Sequence, residues 1–107
     1  MSGSVLDRVR VLVADDRAEL RTLLRDMLSE IGFNNVESAA DGGDAYCRFL
    51  AQPAGLVITD LRMAPVDGLA LTHMIRTAPD SPHRAAPILM TSGEAEERWC
   101  FRRATQG

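Results

Sequence analysis

The acidic and hydroxyl residues of this chain that could do chemistry together follow three short apolar runs. Asp15 and Asp16 come directly after the first run, Asp60 follows the second, and Thr91 and Ser92 come at the end of the third. If these runs are parallel strands, their carboxyl ends lie at one edge of a sheet, and ligands bind at that edge. Three carboxylates and two hydroxyl groups would then meet there. Packing like charges together costs free energy unless a cation neutralises them.

A hard divalent cation is the natural partner for such a group of carboxylates. Mg²⁺ is usually held by one or two carboxylates, keeps several waters and leaves positions open for phosphate oxygens. A bound cation would also allow an anionic carboxylate to approach an anionic phosphoryl group. Asp60 could then act as a nucleophile and form an aspartyl-phosphate, to which Ser92 could donate a hydrogen bond. The pattern therefore predicts a Mg²⁺-dependent site that accepts a phosphoryl group.

Four apolar runs alternate with four helical patterns, and these elements must position the site. Strands are predicted at residues 9–14, 36–39, 56–59 and 88–91, of which the second is the weakest. The clearest helix carries an apolar stripe from Leu20 to Ile31 and stops at Gly32. Further helices are predicted at residues 43–52, 69–77 and 94–105. Strands and helices that alternate in this way predict an α/β domain with a parallel sheet between two layers of helices.

Composition narrows the possible functions. The 107 residues, 46% of them hydrophobic, are enough for one domain with a single core. The formal net charge of -3 and the scattered basic residues give no field that would attract nucleic acid. No segment approaches the roughly 20 apolar residues that span a bilayer. We therefore expect a cytoplasmic domain that contacts neither nucleic acid nor membrane. All 12 basic residues are arginine, so the chain contains no lysine.

Four motifs resemble, in order and spacing, those of the response-regulator receiver family of two-component signalling, which includes chemotaxis regulators. The motifs are VLVADD at residues 11–16, DGGDA at residues 41–45, DLRM at residues 60–63 with the DG pair at residues 67–68, and PILMTSG at residues 87–93. The resemblance covers nearly the whole chain. It implies a doubly wound, flavodoxin-like parallel sheet, which in the family has the strand order 2-1-3-4-5.

The resemblance also implies a role for each candidate residue. Asp60 matches the phosphorylated aspartate and a ligand of Mg²⁺, and Asp16 matches the carboxylate that contacts the metal directly. Asp15 matches the partner that acts through water, and Arg62 matches the residue whose backbone carbonyl completes the metal site. Ser92 matches the hydroxyl residue of the family's switch. The implied partner is a histidine kinase or a phosphotransfer protein, and the implied activity is that of a phospho-accepting signalling domain, not of a turnover enzyme.

The chain departs from the family on its carboxy-terminal side. The family's fifth strand ends in a lysine and a fifth helix follows, whereas this sequence shows neither up to Gly107. We therefore expect residues 1–107 to form a receiver domain that is truncated relative to the family, with the strand order 2-1-3-4. Strand four should then be an unprotected edge, and part of the stripe of the first helix should be uncovered. Either the chain self-associates, through that edge, or it is a fragment of a longer protein.

Two other functions stay open. One is a receiver-like interaction module that no longer takes phosphate, which the missing lysine would favour. The other is a Mg²⁺-dependent phosphohydrolase with an aspartyl nucleophile, a class that usually carries a D-x-D pair and a lysine. The segment from Asp60 to Arg62 lacks the second aspartate, which makes the hydrolase the weaker of the two.

Some of the acidic residues also have a purely structural interpretation. Asp16 could cap the first helix, with Glu19 three residues later as its reciprocal partner. Asp41 and Asp67 each precede a glycine and are interpreted as turn residues.

Overall fold

A five-stranded sheet and three α-helices make up the part of the chain that the computed structural model describes, namely residues 5–91 and the backbone of residues 101–103. The strands are β1 (Arg10–Ala14), β2 (Asn35–Ala39), β3 (Leu56–Asp60), β4 (Ile88–Thr91) and β5 (Phe101–Arg103). The helices are α1 (Ala18–Ile31), α2 (Gly42–Ala51) and α3 (Gly68–Thr77), and a short 3₁₀ helix over Val5–Arg8 precedes β1.

The sheet has the order β2-β1-β3-β4-β5, and its first four strands are parallel. This confirms the predicted α/β fold and the predicted parallel order 2-1-3-4. In such a sheet the two central strands, β1 and β3, are paired on both sides, which fixes where their last residues lie. Those last residues are the ones that carry the acidic motifs.

The fifth strand differs from what the sequence predicts. β5 runs antiparallel along β4, with Leu89 opposite Arg103 and Thr91 opposite Phe101. The predicted helix over residues 94–105 is therefore wrong at residues 101–103, and its remainder lies outside the described residues. Pairing with β4 satisfies backbone groups at an edge that we expected to be free, whereas self-association stays a prediction. Because β5 is antiparallel, it is not the parallel fifth strand of the family.

The two faces of the sheet are covered unequally. Helices α2 and α3 cover one face, where Phe49, Leu71 and Ile75 are fully buried against Leu12 and Val57. Helix α1 covers the other face with a smaller cluster, which consists of Val11, Val13, Leu28 and Ile58. The alternation of Val11 and Val13 with Leu12 along β1 places successive side chains on opposite faces.

The apolar stripe of α1 is only partly covered, as the sequence predicts. Leu28 is buried, whereas Leu23 and Met27 are each 51% exposed and Ile31 is 63% exposed. Gly32 ends the helix with a positive φ of 125°, a backbone conformation that glycine adopts without strain. None of the helices in the described residues is long and apolar enough to cross a membrane.

The first turns of α2 and α3 are capped by aspartates. The Oδ1 atom of Asp41 accepts hydrogen bonds from the backbone N–H groups of Gly43 and Asp44, at 2.7 and 3.0 Å. The Oδ1 atom of Asp67 accepts one from the N–H group of Ala70 at 2.8 Å. Asp41 and Asp67 are thus structural residues, as interpreted from the sequence, and their specific role is that of helix N-caps.

Candidate metal centre

Three carboxylates meet at the carboxyl edge of the sheet, where β1 and β3 end. Asp15 directly follows β1, Asp16 comes next, and Asp60 is the last residue of β3. One carboxylate oxygen from each of the three lies within 4.8 Å of those of the other two. Asp15 is 2% exposed and Asp60 is 4% exposed, whereas Asp16 is open to solvent. We call these three residues the carboxylate cluster, and the structure places them together as the strand-end argument predicts.

The backbone around Asp60 is held from two sides. On one side Asp60 is paired with Thr91 of β4, and the N–H group of Leu61 donates to the carbonyl of Thr91 at 2.8 Å. On the other side α3 begins directly against this backbone, since the N–H group of Gly68 donates to the carbonyl of Leu61 at 3.0 Å. A Cβ atom at Gly68 would lie only 2.3 Å from the carbonyl oxygen of Asp60. Glycine at position 68 therefore allows the close approach that fixes Asp60.

Hydrogen bonds from other residues hold both the backbone and the side chain of Asp15. Its N–H group donates to the carbonyl of Ala39 at 3.1 Å, which extends the pairing of β1 with β2 by one residue. Its carbonyl accepts from the Nη1 atom of Arg21 at 2.7 Å. Its Oδ1 atom accepts from the backbone N–H group of Arg17 at 2.9 Å. These contacts order the carboxylate of Asp15 before any ligand arrives.

Arg17 is a site residue that the sequence analysis missed. Its guanidinium reaches two carboxylates: Nε lies 3.2 Å from Oδ1 of Asp15, and Nη2 lies 3.4 Å from Oδ2 of Asp15 and 3.7 Å from Oδ2 of Asp60. The hydrogen bond to Asp15 raises the pKa of Arg17 above its usual value, and the negative charges of Asp15, Asp60 and Asp16 add to this effect. The sequence contained a signal for this role, namely a basic residue directly after two aspartates in a chain that has no lysine.

The interpretation of Asp16 as the cap of α1 is wrong. The helix begins at Ala18, so that Arg17 occupies the N-cap position, and no side chain caps it through a hydrogen bond. The reason lies one residue earlier, because the carboxylate of Asp15 takes the backbone N–H group of Arg17 and holds the chain extended there. Asp16 is left exposed, with its carboxylate turned to the cluster.

For the other two candidate residues, Arg62 and Ser92, the structure gives less information. Arg62 lies two residues after Asp60 and lines a depression beside the cluster together with Asp16, Met63 and Ala64. The structure thus brings Arg62 to the site, while the ligand role of its carbonyl stays a prediction. Ser92 lies outside the described residues. The residue before it, Thr91, is the register partner of Asp60.

The chemistry of the cluster suits a hard divalent cation. Within residues 5–91 its donors are three carboxylates, and no histidine or cysteine belongs to it. Within the described residues, Arg17 contacts two of the three carboxylates, those of Asp15 and Asp60. Oxygen donors with a net negative charge are what Mg²⁺ binds in proteins, whereas softer metals favour nitrogen and sulfur. The residues present therefore fit Mg²⁺.

The fold and the motifs agree with what known proteins show. A family model described as the response regulator receiver domain matches residues 11–106. The probable chemotaxis protein CheY of Rhizobium etli is 35% identical over 91 residues, which cover 85% of this chain and 70% of that protein.

Solved structures show the same fold. The response regulator TrrA of Thermotoga maritima, in complex with Mg²⁺-BeF, matches with a TM-score of 0.72 and 30% identity over 84% of this chain and 74% of that one. The N-terminal domain of a receiver protein from Methanoculleus marisnigri matches with a TM-score of 0.70 and 30% identity. That match covers 78% of this chain but 65% of the solved one, so the chain spans less than two thirds of that domain's length. From its motifs, its strand order and these matches, the chain belongs to the response regulator receiver family, whose members are the signalling domains of two-component systems.

Proposed function

We propose that this receiver domain works in the cytoplasm as a phospho-acceptor: it binds one Mg²⁺ at the carboxylate cluster and takes a phosphoryl group onto Asp60. The donor would be the phosphohistidine of a histidine kinase or of a phosphotransfer protein. Asp16, Asp60 and the backbone carbonyl of Arg62 would contact the metal, and Asp15 would act through water. The hydroxyl of Ser92 would donate a hydrogen bond to the phosphoryl group.

One observation carries the proposal: three carboxylates from the ends of two neighbouring strands lie within 4.8 Å of one another, and two of them are buried. Clustered buried charge of one sign destabilises a fold, so its presence indicates that a positively charged ligand belongs there. The TrrA structure supports the choice of ligand, because it holds Mg²⁺ with BeF, a group that serves as an analogue of phosphoryl. When bound, the metal would neutralise the charge that develops on the phosphoryl oxygens.

The chain's own residues account for the nucleophile. A carboxylate oxygen of Asp60 would attack phosphorus and form an acyl phosphate bond. The bond from phosphorus to the donor's imidazole nitrogen would break with its electron pair staying on that nitrogen, and a proton on the other ring nitrogen would let the ring leave as neutral imidazole. Attack needs Asp60 to be ionised and held in place, and its backbone is anchored by β4 and by the start of α3. Because the nucleophile is consumed in each transfer, a single phosphoryl group per chain is expected.

The experiment uses a small-molecule donor. The metal-free protein is incubated with acetyl phosphate, with and without Mg²⁺, and intact mass and released phosphate are followed over time. We expect one phosphoryl adduct per chain that requires Mg²⁺, survives acid and is removed by hydroxylamine. Asp60→Asn should abolish the adduct, whereas Asp44→Asn, which removes an aspartate outside the cluster, should leave it unchanged.

Each other outcome would contradict the proposal in a different way. Bound Mg²⁺ without any adduct would favour an interaction module that no longer takes phosphate. Rapid release of phosphate over many turnovers would favour a phosphohydrolase. An adduct that persists in Asp60→Asn would show that the acceptor is another residue.

A further inference from the structure

Arg17 occupies the space between the two buried carboxylates of the cluster. It follows Asp16 in the chain, and its guanidinium contacts Asp15 through two nitrogens and Asp60 through one. The side chain is nevertheless 44% exposed, so solvent reaches it and it has room to move away. At the start of α1 its side chain makes no capping hydrogen bond, and its backbone N–H group donates to Asp15.

The guanidinium and a metal ion compete for the same two buried carboxylates. A cation held by Asp60, with water between it and Asp15, would interact with the carboxylates that Arg17 now contacts at 3.2 to 3.7 Å. A divalent ion and a guanidinium that shared these oxygens would also repel each other at short range. The two cations therefore compete for the cluster, and the binding of one disfavours the other.

We infer that Arg17 is a built-in counter-ion of the carboxylate cluster, which neutralises Asp15 and Asp60 in the metal-free protein and is displaced when Mg²⁺ binds. The inference rests on the proposed function, since it takes the cluster to be the metal site. Metal binding is then an exchange of one cation for another. The exchange weakens the affinity for Mg²⁺ and keeps the metal-free domain folded.

The size of the effect follows from the exposure of Arg17. Ion pairs with a solvent-exposed partner are weak, and this one involves a half-exposed arginine with two buried acids. Removing the guanidinium should therefore tighten Mg²⁺ binding by a modest factor, about three- to tenfold. A much larger factor would require a buried pair.

The test compares Arg17→Gln with Arg25→Gln by isothermal titration of Mg²⁺ into the metal-free proteins. Arg25 lies on the same helix, is exposed, and its Nη2 donates to the Ser38 hydroxyl at 3.0 Å rather than to a carboxylate. The two substitutions remove the same charge, so the difference between them reports the local contact. We expect about three- to tenfold tighter binding for Arg17→Gln and less than about twofold for Arg25→Gln.

A second readout follows the arginine itself. In a ¹⁵N spectrum of the side-chain Nε–H groups, the Arg17 signal should be shifted and protected from exchange without metal, and should move to the position of a solvated arginine at saturating Mg²⁺. The Arg25 signal should not respond. Unchanged or weaker Mg²⁺ binding in Arg17→Gln, or an Arg17 signal that ignores Mg²⁺, would overturn the inference. Wild-type protein that binds no Mg²⁺ at all would instead overturn the proposed function.

Discussion

Two groups of arginines and carboxylates in the described part of the chain differ in their ion pairing and in their burial. The flank cluster consists of Arg10, Glu37, Asp44 and Arg48. Glu37 of β2 accepts from Nη2 of Arg10 at 2.8 Å and also from Arg48, whose Nε lies 3.2 Å from Asp44. Its two positive and two negative charges balance, and the acids are 32% and 40% exposed. The carboxylate cluster instead sets three acids, two of them buried, against Arg17.

The difference separates a structural cluster from a binding site. In the flank cluster every charge is matched within the chain, so the contacts join β1, β2 and α2 and leave nothing for a ligand to neutralise. In the carboxylate cluster three carboxylates, two of them buried, lie within 4.8 Å of one another, and their mutual repulsion is relieved when a cation binds. Arginine–carboxylate contacts are thus no indication of a site by themselves. Several carboxylates that are buried close together at the ends of strands are such an indication.

The largest expected effect comes from a substitution that displaces the backbone of Asp60 and leaves the flank cluster unchanged. In Gly68→Ala the new Cβ atom would meet the carbonyl oxygen of Asp60 at 2.3 Å, and backbone cannot move aside as a side chain can. We expect the free energy of unfolding in urea to fall by about 2–3 kcal/mol and adduct formation from acetyl phosphate to slow.

Gly43→Ala is the matched control for this substitution. It lies in the first turn of α2, and its nearest atom, Oδ1 of Asp41 at 3.2 Å, belongs to a side chain. Its effect should stay within about 1 kcal/mol. Equal losses in the two variants would contradict the account of Gly68 as the residue that fixes Asp60.

The next largest effect is on stability, where neutralising one carboxylate should have opposite effects in the two clusters. Asp60→Asn removes one of three negative charges that repel one another, so we expect the metal-free protein to become more stable by about 1–2 kcal/mol. At saturating Mg²⁺ the advantage should shrink or reverse, because wild type gains stability from binding. Thermal unfolding with and without Mg²⁺ measures both. A less stable metal-free Asp60→Asn protein would show that Asp60 is already fully compensated.

Glu37→Gln should act in the other direction and more weakly. It removes the carboxylate that two arginines share, and so it should lower the free energy of unfolding by about 0.5–1 kcal/mol. Urea denaturation provides the value, and Mg²⁺ should not change it. A Mg²⁺-dependent difference would mean that the flank cluster also binds metal.

The smallest effect is the pH dependence of that same contact. The hydrogen bond from Arg10, followed by the one from Arg48, lowers the pKa of Glu37 below its usual value of 4.5. Since the pKa in the folded state lies below that in the unfolded state, the stabilisation is complete above the usual value and is lost as the pH falls through the lowered one. The stability difference between wild type and Glu37→Gln should therefore be constant near neutral pH and shrink below 4.5. A difference that grows in acid would contradict the sign.

Much of this comparison could be predicted from the sequence, because it depends on local periodicity and on one rule of topology. The four parallel strands and α1 to α3 follow from apolar runs and helical stripes that the structure reproduces within a few residues. The meeting of Asp15, Asp16 and Asp60 follows from the rule that parallel strands present their carboxyl ends at one edge.

The rest depends on contacts between residues far apart in the chain, or on competition at a single position. β5 spans three residues, and its pairing with β4, not its own propensity, sets its conformation. Arg10 and Glu37 are 27 positions apart, so their contact requires the register of β1 with β2. In the sequence, only its position directly after two aspartates distinguishes Arg17 from a surface arginine. In the structure its backbone N–H group donates to Asp15, and its guanidinium contacts the same carboxylate.

The central claim is that the carboxylate cluster, and not the flank cluster, holds one divalent cation. Mn²⁺ also prefers oxygen ligands and can replace Mg²⁺ as a paramagnetic probe that broadens nearby NMR signals. At low ratios of Mn²⁺ to protein, the backbone amide signals of Asp15, Asp16 and Asp60 should disappear first, and those of Arg10 and Arg48 should persist. Excess Mg²⁺ should restore the lost signals. Broadening that is uniform, or that begins at the flank cluster, would contradict the account.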